Sequence, residues 1–214
     1  MPYHEYQDTL AEKDYNLFIA DLIQIATVKC DHLWLSYNAN HDFWIGGLIA
    51  DFLANSYNWR GLKCVQVYTF YQHNHHDLGN SHRPLVRLSR VDAPLYPDAI
   101  RVPSWRQLHG DKRADPRGRV PGTTFDFPRV TGNSSQRRKY HPTQLHEGLV
   151  ERCIKLCARP DDAVCDPFAG TGTTLRVCKR TGNPCILMDI DKMYCEKIAE
   201  EHNLSLRADN EWTN

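Results

Sequence analysis

The stretch Val164-Cys165-Asp166-Pro167-Phe168-Ala169-Gly170-Thr171-Gly172-Thr173-Thr174 constrains the fold more than any other part of the chain. Cys153 to Cys157 lie on an apolar helical stripe, Pro160-Asp161-Asp162 breaks that helix, and Ala163 to Cys165 reads as a buried strand. From Thr173 onward, Leu175, Val177 and Cys178 return to helical spacing. The order is therefore helix, strand, glycine loop, helix. Glycines let the backbone approach a ligand closely, and the N–H groups that open the next helix favour polar or anionic groups. About twenty residues on, a second strand, Cys185 to Met188, ends in Asp189. A carboxylate at that distance from a Gly-rich turn can accept hydrogen bonds from both ribose hydroxyls, so a nucleoside ligand is the first reading.

At 214 residues, with 41% hydrophobic residues and a formal net charge of zero, the chain can bury one good core and is most simply one domain with an insert. It has no run of about eighteen apolar residues and no charged-then-apolar leader, which gives no support to a membrane span or a secretory signal. A cytoplasmic protein is expected. Eight cysteines form no Cys-x-x-Cys pair and fall inside apolar patterns, so they are expected to be reduced core thiols.

Taken in order, Asp14 to Lys29 has helical spacing and Leu33 to Tyr37 reads as a strand. His41-Asp42 opens a second helix, weakened by Gly46-Gly47. Cys64 to Phe70, bounded by Gly61, and Pro84 to Ser89 alternate as an antiparallel pair. The loop His73-Asn74-His75-His76-Asp77 with His82 lacks the pattern of a ββα metal finger, and no metal is expected there. Between Arg101 and Lys139, ten basic residues stand against three acidic ones, a local excess of seven positive charges. With Trp105, several Gly and Pro and little periodicity, the segment suits phosphate contacts with a few side chains reaching bases. Helices then follow at Gly148 to Ala158 and Met193 to His202.

The string Asp166-Pro-Phe-Ala-Gly-Thr-Gly-Thr-Thr, preceded by His141-Pro142-Thr143-Gln144 and followed by Ile186-Leu187-Met188-Asp189-Ile190-Asp191, resembles the amino-group DNA methyltransferases. The resemblance covers nearly the whole chain. It implies a Rossmann-like α/β sheet, mostly parallel, that ends in a β-hairpin and carries a basic insert. It implies S-adenosylmethionine as cofactor, held by His141, Thr143, Asp166, Phe168, Gly170, Gly172, Thr173, Thr174 and Asp189. It also implies double-stranded DNA as partner, contacted by Arg113, Arg117, Arg119, Arg137, Arg138 and Lys139. The reaction it implies is methyl transfer to an exocyclic amino group, adenine N6 or cytosine N4, in a bacterial or phage restriction-modification setting. No membrane partner is expected, and a homodimer is compatible with the reading.

In that family a D/N/S-P-P-Y motif holds the target amine and stacks on the flipped base. The matching residues here are Pro2 and Tyr3, which places the catalytic half first, in the permuted order called β. The expected division is a catalytic half at 1–100, a basic target-recognition insert at 101–139 and a cofactor half at 140–214. The acidic or polar first residue of the motif and the strand that leads into it have no match, so an N-terminal truncation is expected. The alternatives are a catalytically inactive cofactor- or DNA-binding remnant and an RNA or protein amine methyltransferase on the same fold.

Overall fold

We describe the fold from a computed structural model, which covers residues 12–67 and 81–206. The chain divides into two compact units, Met1–Pro128 and Arg129–Asn214, so the division falls inside the basic segment.

The first unit is a four-stranded sheet backed by two helices. Helix α1 (Glu12–Lys29) is followed by β1 (His32–Ser36), α2 (Asp42–Ala54), β2 (Trp59–Val67), β3 (His82–Arg90), a short α3 (Trp105–Leu108) and β4 (Thr124–Asp126). The sheet order is β1-β3-β2-β4, with β1 and β2 both antiparallel to β3 and β4 parallel to β2. Alternation sends Leu35, Val86, Leu88 and Trp59 to one face, where they pack with Ile19 and Ile23 of α1 and Ile45 and Ile49 of α2. The α1 contacts sit four residues apart, one turn of helix. Thr27, one turn further on, is buried and donates its hydroxyl to the Ile23 carbonyl at 2.8 Å, so no polar group is left orphaned there.

Two expectations change here. The strand read as Cys64 to Phe70 begins at Trp59, and residues 68–70 lie outside the described residues. Gly61 does not bound it; it pairs with Leu88, and a Cβ there would stand 2.8 Å from Leu53 Cδ1, so the glycine lets α2 pack closely on the sheet. Nor is the sheet mostly parallel. Among the described residues the long ladders, β1–β3 and β2–β3, are antiparallel, and each parallel ladder spans only three pairs.

The second unit is built on two parallel strands, β5 (Val164–Asp166) and β6 (Cys185–Leu187), joined through α5 (Thr173–Thr181). Helix α4 (Glu147–Cys157) buries Leu149, Val150, Cys153 and Ile154, one apolar stripe, while α5 buries Leu175, Val177 and Cys178. Helix α6 (Lys192–His202) contributes Ile198 to a core with Ala169 and Leu175, against which Cys185 and Leu187 pack. Helices α4 and α5 are also tied by Arg176 and Arg180, which both reach Glu147, at 2.9 and 2.6 Å. Gly182 ends α5 in the left-handed conformation, its N–H returning to the Cys178 carbonyl.

All eight cysteines are free thiols, and Cys64, Cys153 and Cys178 are buried as expected. Cys165 is not: it is exposed, because with its register partner Ile186 it lies on the strand face opposite Cys185 and Leu187, which pack inward.

Candidate functional site

The C-terminal ends of β5 and β6 carry the glycine loop and Asp189, the position where parallel strands present ligand-binding groups. Asp166 ends β5 and shapes the loop. Its Oδ1 accepts from the Phe168 N–H at 3.0 Å and its Oδ2 from the Thr174 hydroxyl at 2.5 Å, which joins strand end, loop and first helical turn. Gly170 and Gly172 both have positive φ, 50° and 71°. A Cβ on Gly170 would stand 2.9 Å from His141 Nε2, and one on Gly172 would stand 3.0 Å from Ile198 Cγ1. Both positions therefore require glycine for conformation and for space.

Asp189 closes the loop from the second strand. Its Oδ2 accepts from the Gly170 N–H at 2.7 Å and its Oδ1 from the Asp191 N–H at 2.9 Å. His141 lies over Gly170, its Nδ1 accepts from the Thr143 N–H at 3.2 Å, and its ring meets Tyr194 at 4.7 Å. That bond places the ring proton on Nε2. Burial lowers the His141 pKa, opposed in part by the Asp189 charge, so the ring is neutral near pH 7.

Thr173 and Thr174 lie at this site, but their hydroxyls turn into the protein. Thr173 bonds Thr171 at 3.0 Å and accepts from Arg176, and Thr174 serves Asp166. They brace the loop, and the N–H groups at the start of α5 receive no side-chain cap. Phe168 is half exposed, and around Asp189 three more apolar side chains are open to solvent: Met188, Met193 and the fully exposed Ile190. Ile190 was missed from sequence, although an isoleucine set between two aspartates just past a strand end is itself the signal.

The six basic candidates are divided between the units. Arg113 and Arg117 are exposed but held by bidentate bonds to Asp111 and Asp115, each two residues upstream. Arg119 is exposed and joins Val102 in a backbone bridge. In the second unit Arg137 donates to the Val130 carbonyl, Arg138 pairs with Glu201 through two nitrogens, and Lys139 is exposed. Pro2, Tyr3 and the loop His73 to Asp77 lie outside the described residues. Among the described residues no His, Cys, Asp and Glu cluster could hold a metal ion, and no helix is long and apolar enough to cross a membrane.

The model of the N6/N4 methyltransferase family, described as DNA methylase, matches residues 22–201. The chain belongs to this family. It is 31% identical over 106 residues to the type II methyltransferase M.ScaI of Streptomyces caespitosus, covering 46% of this chain and 35% of that protein. It is 39% identical over 103 residues to the type II methyltransferase M.HpaI of Haemophilus parainfluenzae, covering 48% and 32%. The chain thus spans about a third of the length of these curated relatives. The crystal structure of the M1.HpyAVI–SAM complex superposes with a TM-score of 0.63 at 19% identity, covering 89% of this chain and 85% of that one. The fold is that of the S-adenosylmethionine-dependent DNA methyltransferases.

Proposed function

We propose that this DNA methylase family member transfers a methyl group from S-adenosylmethionine to an exocyclic amino group of a base in duplex DNA, adenine N6 or cytosine N4. The observation that carries the reading is the loop at the ends of β5 and β6, where Asp189 holds the Gly170 N–H and is flanked by the exposed Met188 and Ile190. The donor set fits the cofactor. A carboxylate offers about four acceptor sites, and Asp189 has used two on backbone N–H groups. Two remain for a ribose diol. Phe168, Met188, Ile190 and Met193 offer apolar surface for a purine, and the opening turn of α5 with His141 and Thr143 lies beside the loop for the polar end.

S-adenosylmethionine, once bound, supplies a methyl group on a sulfonium. The chain's own part is to orient that group, exclude water and polarise the target amine by hydrogen bonding, with no covalent adduct to the base. Pro2 and Tyr3 take the place of the motif that holds the amine and stacks on the flipped base. Lys112, Arg119 and Lys139, exposed in the structure, supply phosphate contacts, with Arg113, Arg117, Arg137 and Arg138 drawn on where DNA competes for their present partners.

Calorimetric titration with S-adenosylmethionine tests the reading. Asp189→Ala is expected to lose about 1.5 to 3 kcal/mol of binding, roughly tenfold to more than a hundredfold. Unchanged affinity removes Asp189 from the site, and preference for a nicotinamide dinucleotide overturns the cofactor.

A further inference from the structure

The first unit holds a closed loop whose construction goes beyond what a charged, solvated segment needs. Its base is the bridge between Val102 and Arg119, with both backbone N–H groups donating across at 2.9 Å. The Arg101 guanidinium adds a bond to the Gly118 carbonyl at 2.8 Å. Gly118 has φ +84°, and a Cβ there would collide with the Val102 carbonyl oxygen, so only glycine closes the loop this way. Inside the loop, Ser104 and Gln107 form a reciprocal capping box around α3, and Gln107 Nε2 also donates to the Pro116 carbonyl at 3.0 Å. The turns Asp111-Lys112-Arg113 and Asp115-Pro116-Arg117 repeat one arrangement, an aspartate accepting from the backbone N–H and the guanidinium two residues on.

This scaffold presents an apolar group to water. Trp105 is 69% exposed and Leu108 71%. The indole is stacked on the His109 ring, with centroids 4.0 Å apart and planes 23° from parallel. His109 Nδ1 lies 2.8 Å from the Trp105 carbonyl, and since a carbonyl only accepts, Nδ1 carries the proton. In the tautomer that this bond selects, Nε2 is the acceptor. Around the stack, Arg106, Lys112 and Arg119 are exposed, and the span from 98 to 119 holds six cations against three carboxylates. An exposed aromatic pair in a cationic setting matches a polyanion with stacking faces, and the closed loop has already lost the freedom that a flexible one would surrender on binding.

We propose that the Trp105–His109 stack is the base-contacting element for duplex DNA in this protein: the indole packs on a base or wedges a step, and His109 Nε2 accepts from an exocyclic amino group of adenine or cytosine in the major groove. The inference rests on the reading that the chain binds duplex DNA, and it assigns sequence preference to two side chains that carry no fixed charge. An Nε2 acceptor suits amino donors at the groove edge, whereas guanine presents acceptors there.

The test measures anisotropy of the full chain on a randomised duplex pool and sequences the bound fraction. Trp105→Ala is expected to weaken binding about fivefold or more while leaving the slope of log affinity against log salt unchanged, since the indole neutralises no phosphate. Trp105→Phe should recover part of the loss. His109→Ala is expected to erase enrichment at one base-pair position with a small change in overall affinity. Both side chains are exposed, so thermal midpoints should match the unmodified chain. Variants that bind the pool with unaltered affinity and enrich the same sequences overturn the proposal and leave DNA binding standing. Loss of self-association in Trp105→Ala with DNA binding intact overturns it too, and assigns the patch to protein contact. A chain that binds no duplex at all removes both readings.

Discussion

Gly170 and Gly132 form a matched pair that isolates the contact between the glycine loop and His141. Their φ values are nearly the same, 50° and 55°, so alanine at either position carries the left-handed penalty, about 1 to 2 kcal/mol. Their surroundings differ. A Cβ on Gly132 meets nothing within 4 Å, whereas one on Gly170 would stand 2.9 Å from His141 Nε2 and 3.3 Å from Cδ2. The imidazole cannot yield freely, because Nδ1 is held by the Thr143 N–H and the ring rests on Tyr194. Forcing it off its rotamer adds about 0.5 to 1.5 kcal/mol. Urea denaturation should therefore show Gly132→Ala losing about 1 to 2 kcal/mol and Gly170→Ala losing about 0.5 to 1.5 kcal/mol more. Only Gly170→Ala should weaken S-adenosylmethionine in calorimetry, because it displaces His141 and disturbs the Gly170 N–H that Asp189 holds. Equal stability losses with equal affinities would refute the reasoning, since His141 would then have to move without cost or lie elsewhere.

Two further outcomes follow from the second unit. Arg138 and Glu201 are each 28% exposed and meet through two nitrogen–oxygen bonds, and each shifts the other's pKa in the direction that keeps both charged. A double-mutant cycle should give a coupling of about 0.5 to 1.5 kcal/mol, discounted for solvent, and a value near zero would make the pair incidental. Urea midpoints should also fall in two stages as pH drops. His141, His146 and His202 have pKa values lowered chiefly by burial, so the unfolded chain binds protons first and stability is lost as pH falls below about 6.5. The carboxyls of Glu147, Glu151 and Glu201 also lie below their usual range. For Glu147, burial pushes up but the bonds from Arg176 and Arg180 prevail; Lys155 leads for Glu151 and Arg138 for Glu201. Their contribution is present above about pH 4.3 and is lost below it. A flat profile between pH 7 and 5 would contradict the histidine stage.

Much of the fold could be read from sequence because local signals and tertiary pairing agree. The succession from β5 through the glycine loop and α5 to β6 is bounded by residues that leave few conformational choices, and Pro84 to Ser89 and Cys64 to Val67 pair antiparallel as expected. Pro84 to Ser89, in a central strand, is however buried throughout and does not alternate. What could not be read depends on partners far along the chain. Gly61 looks like a strand boundary until α2 is seen to pack over it. β4 is three residues long and is a strand only because Val65 to Val67 lie beside it. Cys165 has the composition of a core residue, and its exposure follows from which face of a two-stranded ladder the helices cover.

The same limit applies to the site, where composition counts charged and polar groups but cannot say where each is spent. Sequence singles out Asp189 as a ribose acceptor and places Asp166 beside it only through the family resemblance, and geometry gives the two carboxylates different work. Asp166 accepts the Thr174 hydroxyl and the Phe168 N–H, both from the segment that it orders, so its charge is used to hold the loop in shape. Asp189 accepts from Gly170 and from Asp191, one hydrogen bond on each oxygen, and keeps a free lone pair on each beside exposed apolar side chains. The basic segment shows the same division, since Arg113 and Arg117 are folded back on aspartates two residues away while Lys112, just before Arg113, is exposed and makes no such bond. A local excess of seven positive charges therefore overstates what DNA would meet, because part of that charge closes the loop that carries Trp105 and His109.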